Sequence, residues 1–289
     1  MSKTIIITGT SNGFGNDAVE TLAAAGHRVF ATMRATGGRN RAAAEDLRAK
    51  GIEVLELDVT DNASVDAAFT ALFAKTGGKL DVLINNAGMA SGGLSETFTP
   101  EQVREMFEIN VFGVQRVIRA ALPAMQRQGS GLIINIGSIL GRVTLPFFGL
   151  YGASKHAVEA MTDSYRYELS QLGIDVVLVQ PGPFPTKLYT AIQKPADSGR
   201  AERYGDVAAL PGAFSEYLDG VFSGADAPDP HDVAKVLASL IATPAGQRPA
   251  RVVVGSAFGA DAANSAIAPI QSQLVAAIGF DHLEQLKLA

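Results

Sequence analysis

The chain contains no cysteine. Disulfides, a thiolate nucleophile and cysteine-ligated zinc or iron–sulfur centres are therefore excluded. Histidine is scarce too: His27, His156, His231 and His282 are dispersed, and none of their spacings matches a metal motif. Charged residues make up 18% of the chain, with a net charge of −5 and no basic cluster, which argues against a nucleic-acid partner. No apolar run approaches the roughly 20 residues that cross a bilayer. The opening stretch MSKTIIITG holds too short an apolar run for a signal peptide and reads as a first strand, so a cytoplasmic location is expected. What is plentiful is apolar side chain, 47% of 289 residues, ample for a sizeable core and against disorder.

Short β-branched runs alternate with longer helical patterns. Strands are expected at 4–8, 28–33, 53–58, 81–85, 131–137, 174–180 and 251–255. These runs are apolar without alternation, as parallel strands covered on both faces require. Amphipathic helices are expected between them, among them 64–76 behind a Thr60–Asp61 cap and 156–172, stopped by Gly173. Repeated β-α units imply right-handed crossovers and a doubly wound α/β sheet in one domain over 1–289. The stretch 186–232 breaks the rhythm with Pro195, Pro211, Pro228 and Pro230 and holds one or two short helices, such as 213–222. Connections this long inside a domain are usually functional, so it is expected to be a substrate-binding lid. Asp229 and Pro230 then read as the cap and first residue of another helix. The tail, 256–289, is Ala-rich and mildly amphipathic, with its docking left open.

The segment TGTSNGFG follows the first strand and opens a helix, with Gly9, Gly13 and Gly15 as its glycines. Such a turn gathers backbone N–H groups at a positive helix end and suits a pyrophosphate, although a tight β-α turn would use glycine as well. NAD sites usually carry an acid at the end of the second strand for the ribose 2′-hydroxyl. Here the stretch reads ATMRATGGRNR, with Arg34 at the strand end and no acid. A guanidinium there would pair with a 2′-phosphate, with Ser11 and Asn12 adding donors from the loop, so NADP(H) is expected over NAD(H). Arg39 and Arg41 are rival phosphate partners or surface residues.

In these motifs the chain resembles the short-chain dehydrogenase/reductase family, in its compact single-domain branch, from Lys3 to about Gly255. TGTSNGFG looks like the family's T-G-x-x-x-G-x-G loop and LDVTD supplies Asp58 and Val59 on the adenine side. NNAG (85–88) resembles the segment after strand four, NVFG supplies Asn110, and Tyr151 with Lys155 forms Y-x-x-x-K thirteen residues beyond Ser138. PGPFPT (181–186) resembles the P-G-x-x-x-T segment that holds the nicotinamide carboxamide, with the departure of a Pro-rich PFP at its centre. VFATMR further resembles the hydroxysteroid and retinol dehydrogenase subgroup. The resemblance implies a Rossmann-type, mainly parallel seven-stranded sheet flanked by helices, and a homodimer or homotetramer. It implies cofactor contacts from Gly9, Ser11, Asn12, Gly13, Phe14, Gly15, Arg34, Asp58 and Val59. Asn86, Ala87, Gly88, Tyr151, Lys155, Pro181, Gly182, Phe184 and Thr186 would complete that set. It implies four catalytic residues, Asn110, Ser138, Tyr151 and Lys155, with Asn110 anchoring a water that carries the proton out.

Residues four apart lie on one helix face, so Lys155 reaches the neighbourhood of the Tyr151 hydroxyl. A free phenol has a pKa of about 10. A cation at about 4 Å in an effective dielectric near 20 would lower it by about 2 units, giving a usable acid/base. The expected chemistry is hydride transfer between NADP(H) and a carbonyl or alcohol held by Ser138 and Tyr151. Leu140, Leu145, Phe147, Phe148, Leu188 and Tyr189 are expected to line an apolar substrate pocket without a cationic wall, fit for a hydrophobic ketone or aldehyde. Phe147 and Phe148 would equally suit core or a subunit contact. A nucleotide-binding sensor without chemistry would have lost Tyr151 or Lys155. An epimerase or dehydratase of the larger branch would need more chain beyond Gly255.

Overall fold

The computed structural model describes residues 1–224 and 226–288. Seven strands form one sheet: β1 (Thr4–Thr8), β2 (Arg28–Met33), β3 (Glu53–Glu56), β4 (Val82–Asn85), β5 (Gly131–Ile136), β6 (Ile174–Pro181) and β7 (Arg251–Val254). All pairs are parallel, in the spatial order 3-2-1-4-5-6-7. The helices are α1 (Gly13–Ala24), α2 (Arg41–Ala49), α3 (Asn62–Thr76), α4 (Pro100–Phe107), α5 (Gly113–Gln128) and α6 (Gly149–Ser170). Beyond them lie α7 (Lys187–Thr190), α8 (Leu210–Ser223), α9 (His231–Ala242) and α10 (Ala260–Ala277).

Successive strand residues point to opposite faces, so each apolar run feeds two cores at once. Ile5 and Ile7 pack under α1, α2 and α9. Ile6 packs with Val65 and Phe69 of α3 and Val117 of α5. The result is a single-domain, Rossmann-type sandwich of sheet between helix layers.

Local chemistry sets the element ends. The Asp61 carboxylate accepts from the Ala63 N–H at 2.9 Å and caps α3, which Gly77 ends with φ +65°. Thr99 and Gln102 form a reciprocal capping box at the start of α4. Asp229 accepts from the His231 N–H at 2.9 Å, so the cap expected there operates with the helix starting one residue later, at His231. Helix α6 begins well before the expected residue 156, and so carries Tyr151 as well as Lys155.

The stretch after Thr186 folds into α7, a tight helical run at Ser198–Ala209 broken at Gly205, and α8. Helix α8 is therefore longer than the expected 213–222. It sets Phe214 against Phe148 (ring centroids 5.6 Å apart), while Phe222 meets Tyr189 at 5.0 Å. The tail docks on its own chain. Its Lys287 N–H donates to the Ser170 carbonyl at 3.0 Å, and Gln171 donates to the His282 carbonyl at 2.9 Å. Among the described residues no helix is long and apolar enough to cross a membrane.

Gly255, just past β7, has φ +76°, and a Cβ built on it would lie 2.7 Å from Cζ of the fully buried Phe184. Gly255→Ala is expected to cost about 3 kcal/mol, combining left-handed backbone strain and core overpacking. The check is a lower urea midpoint at unchanged slope.

Candidate active site

The strand order doubles back between β1 and β4, and such a reversal opens a crevice beyond the carboxyl ends of the strands. A cleft of 590 Å³ occupies that place. One wall is the first β-α turn, with Gly9, Ser11, Asn12, Gly13 and Phe14 lining the cleft. Gly9 (φ +71°) could not carry a Cβ, which would fall 2.7 Å from Ala87 Cα. Gly13 (φ +58°) would meet only Thr186 Cβ, at 3.9 Å, so its bare backbone faces open space. Asn86 ties this turn to the end of β4, with its amide donating to the Thr8 and Gly9 carbonyls, each at 2.9 Å.

Arg34 lines the cleft at the end of β2, and Asp58 and Val59 do so after β3. The Arg34 guanidinium stands 3.9 Å from the Asp58 carboxylate. Burial works to raise the Asp58 pKa. The Thr60 N–H and hydroxyl, with Arg34 and Arg39 nearby, outweigh it and hold that carboxyl below the usual range.

At the other end the cleft is lined by Asn86, Ala87 and Gly88, by Ser138, by Tyr151 and Lys155, and by Pro181, Gly182 and Thr186. Ser138 lies two residues past β5, and its Oγ accepts from the Leu140 N–H at 3.1 Å. Lys155 is buried, donates from Nζ to the Ile136 carbonyl at 2.9 Å, and sits 5.8 Å from the centroid of the Tyr151 ring.

The family comparison bears on this arrangement directly. Residues 3–197 match the model of the short chain dehydrogenases. The chain belongs to the short-chain dehydrogenase/reductase family. A 3-ketodihydrosphingosine reductase from Bacteroides thetaiotaomicron is 38% identical over 202 residues, 70% of this chain and 71% of that one. An NADPH-dependent 3-dehydrocapnine reductase from Ornithobacterium rhinotracheale is 32% identical, over 71% of this chain and 73% of that one. Among solved structures, a short-chain dehydrogenase from Streptomyces avermitilis superposes with a TM-score of 0.77 at 31% identity, covering 95% of each chain.

In this short-chain dehydrogenase the phenol does not have the expected lowered pKa. Burial pushes Tyr151 up to about 12, with Ser138 beside it pulling the other way. Burial likewise pulls Lys155 down to about 8. The helical spacing was correct, but the ammonium lies over the ring face and is engaged by Ile136. Desolvation therefore outweighs attraction.

Several residues expected in the cleft lie behind it. Gly15 is a spacer, since a Cβ there would come within 2.5 Å of the Gly9 carbonyl oxygen. Phe184 is fully buried, edge-on to Phe14 at 5.5 Å, so the Pro-rich PFP turns its aromatic ring into the core. Asn110 sits in a single wide π turn, Glu108–Phe112, that aims it inward. Its Nδ2 donates to the Met89 carbonyl (2.9 Å) and Ser154 Oγ (3.0 Å), and its Oδ1 accepts from the Met89 N–H (2.9 Å). Both amide hydrogens are thus committed to protein.

Of the expected substrate residues, Leu188 and Tyr189 line the cleft. Leu140 and Phe148 are instead buried with Tyr151 in an apolar cluster under α8, and Leu145 packs against it. Phe147 stands outside the cleft with φ +68°, a strained conformation for an aromatic residue. Burial, with Tyr151 nearby, raises the pKa of the Tyr189 phenol as well.

Of the rival phosphate partners, Arg39 faces the cleft beside Arg34, whereas Arg41 pairs with Glu45 along α2. Asn40 lines the cleft too, although nothing in the sequence singled it out. Ile109 lines it too, signalled only by adjacency to Asn110. Lys187 also contributes, so the wall is not without a cation as expected, and Glu105 lines it too. No periodicity or motif marks either residue.

Proposed function

We propose that this protein is an NADP(H)-dependent oxidoreductase that interconverts a hydrophobic ketone or aldehyde and its alcohol. One observation carries the reading: a single cleft has two arginines at one end and a serine–tyrosine–lysine group at the other, with exposed glycine backbone between them. That interval suits a dinucleotide pyrophosphate, and Arg34 and Arg39 suit a 2′-phosphate. The cofactor supplies or takes the hydride.

The chain does the rest. Ser138 and Tyr151 hold the carbonyl oxygen, and Tyr151 gives it a proton as charge develops. A phenol with a pKa of about 12 is protonated at neutral pH and so serves the reduction as an acid. Lys155 binds the ribose hydroxyls and keeps Tyr151 oriented. Pro181, Gly182 and Thr186 border the nicotinamide end. The residues 186–232 act as the lid, and the apolar lining of Met89, Leu188 and Tyr189 receives the substrate's hydrocarbon part. The ketone-directed names of two relatives support the same class of chemistry.

The test is NADPH oxidation against a panel of long-chain, cyclic and aryl ketones and aldehydes, repeated with NADH. Reduction of hydrophobic carbonyls at a much higher kcat/KM with NADPH is expected. Equal efficiency with NADH rejects the cofactor assignment, and no turnover across the panel rejects the reaction.

A further inference from the structure

Behind the cleft, four side chains from four elements close a ring. Glu159 of α6 pairs with Arg142 at 2.9 Å. The Arg142 Nε–H donates to Asn264 Oδ1 of α10 at 2.9 Å. Asn264 Nδ2 donates to Gln180 Oε1 of β6 at 2.7 Å, and Gln180 Nε2 donates back to Glu159 Oε1. Gln180 and Glu159 are buried, and the Arg142 side chain is 15% exposed.

Each member sits beside a cleft segment. Arg142 is four residues past Ser138. Glu159 is one turn past Lys155 on the same helix face. Gln180 directly precedes Pro181 and Gly182. Gly141 lies flat against α6 between them, since a Cβ there would fall 2.8 Å from Glu159 Oε1 and 2.9 Å from the Lys155 carbonyl oxygen. Burial raises the Glu159 pKa against the pull of Arg142, Gln180 and Arg251, so the site depends on every partner being in place.

We infer that Asn264 is a positioning residue through which the C-terminal helix α10 holds the Ser138 loop and the Pro181–Thr186 loop in register with Lys155. The part of this inference that concerns catalysis rests on the proposed oxidoreductase function. Asn264 touches neither the cleft nor Tyr151; it acts through Arg142 and Gln180. Its loss leaves a guanidinium N–H and an amide oxygen unpartnered at the back of the site.

The experiment compares full-length wild type, Asn264→Ala, Asn264→Gln and Ser265→Ala. Ser265 is exposed on the same helix and bonds only to the Asp261 carbonyl. Hydrogen–deuterium exchange is followed without added cofactor at 137–143 and 182–187. In Asn264→Ala, exchange there is expected to rise about tenfold, with 13–24 unchanged, as fits loss of one net hydrogen bond. kcat should fall about tenfold while the NADPH Kd changes less than about twofold. Asn264→Gln, which restores both amide groups, should recover part of each loss, and Ser265→Ala should match wild type. Unchanged exchange in both segments overturns the inference. So does exchange that rises throughout the domain, or Gln and Ala variants that behave alike. Wild type inert toward every carbonyl, with the exchange pattern as expected, would reject the proposed function and leave the positioning role standing.

Discussion

Tyr151→Phe is expected to lower kcat for carbonyl reduction by about 10³-fold, the scale of a general acid's contribution, and to leave NADPH affinity nearly unchanged. The ring is buried among Leu140, Phe148 and their neighbours, and phenylalanine fills the same space. What disappears is the proton. Ser138 still lines the cleft and can bond a carbonyl oxygen, but an alcohol is a weaker acid than a phenol, and the Tyr189 phenol at the cleft is itself pushed up by burial. Steady-state NADPH oxidation and fluorescence titration of NADPH binding check the two halves separately. A variant within tenfold of wild type would remove Tyr151 from the chemistry. Wild-type pH dependence follows from Lys155, whose ammonium is present below about 8 and lost above it. Reduction should therefore be level through neutral pH and decline as pH rises through about 8. Lys155→Arg, charged throughout, should flatten that descending limb.

The second large effect is expected at the opposite end of the cleft. Arg34→Ala should raise KM for NADPH about 30-fold, the loss of one charge-assisted contact of about 2 kcal/mol, and leave KM for NADH unchanged. Asp58 adds to the penalty. Against burial, its carboxyl is held below the usual range by Thr60, Arg34 and Arg39, and without Arg34 it would keep only the Arg39 cation beside the proposed 2′-phosphate. Adding Arg39→Ala should weaken NADPH further but less than additively, because under the proposed function both arginines address one group. Parallel titrations with the two dinucleotides give the answer. An Arg34→Ala enzyme that keeps its preference for NADPH would place the phosphate site elsewhere.

The legible parts of this protein were those encoded in short stretches. Ile5, Ile6 and Ile7 announce a strand buried on both faces because neither face can be given to water. Tyr151 and Lys155 announce a shared helix face because helical spacing is local. Gly9 announces a turn against which another backbone must lie, although only the sheet shows that this backbone is Ala87. Arg39 was legible as a candidate and no more, because the path of the chain after β2 decides whether it faces the cleft.

Other features lay outside any single stretch. The strand-helix alternation, the glycine turn and the spacing of Ser138, Tyr151 and Lys155 are written in the chain, since each depends on neighbours a few residues away. It takes the folded chain to turn Phe184 inward, to commit both Asn110 amide hydrogens to protein, and to make the Tyr151 phenol harder, not easier, to ionise. Folding alone brought Glu159, Arg142, Gln180 and Asn264 into one ring. Burial and long-range hydrogen bonds are properties of surfaces that meet from distant parts of the chain, and no local pattern carries them.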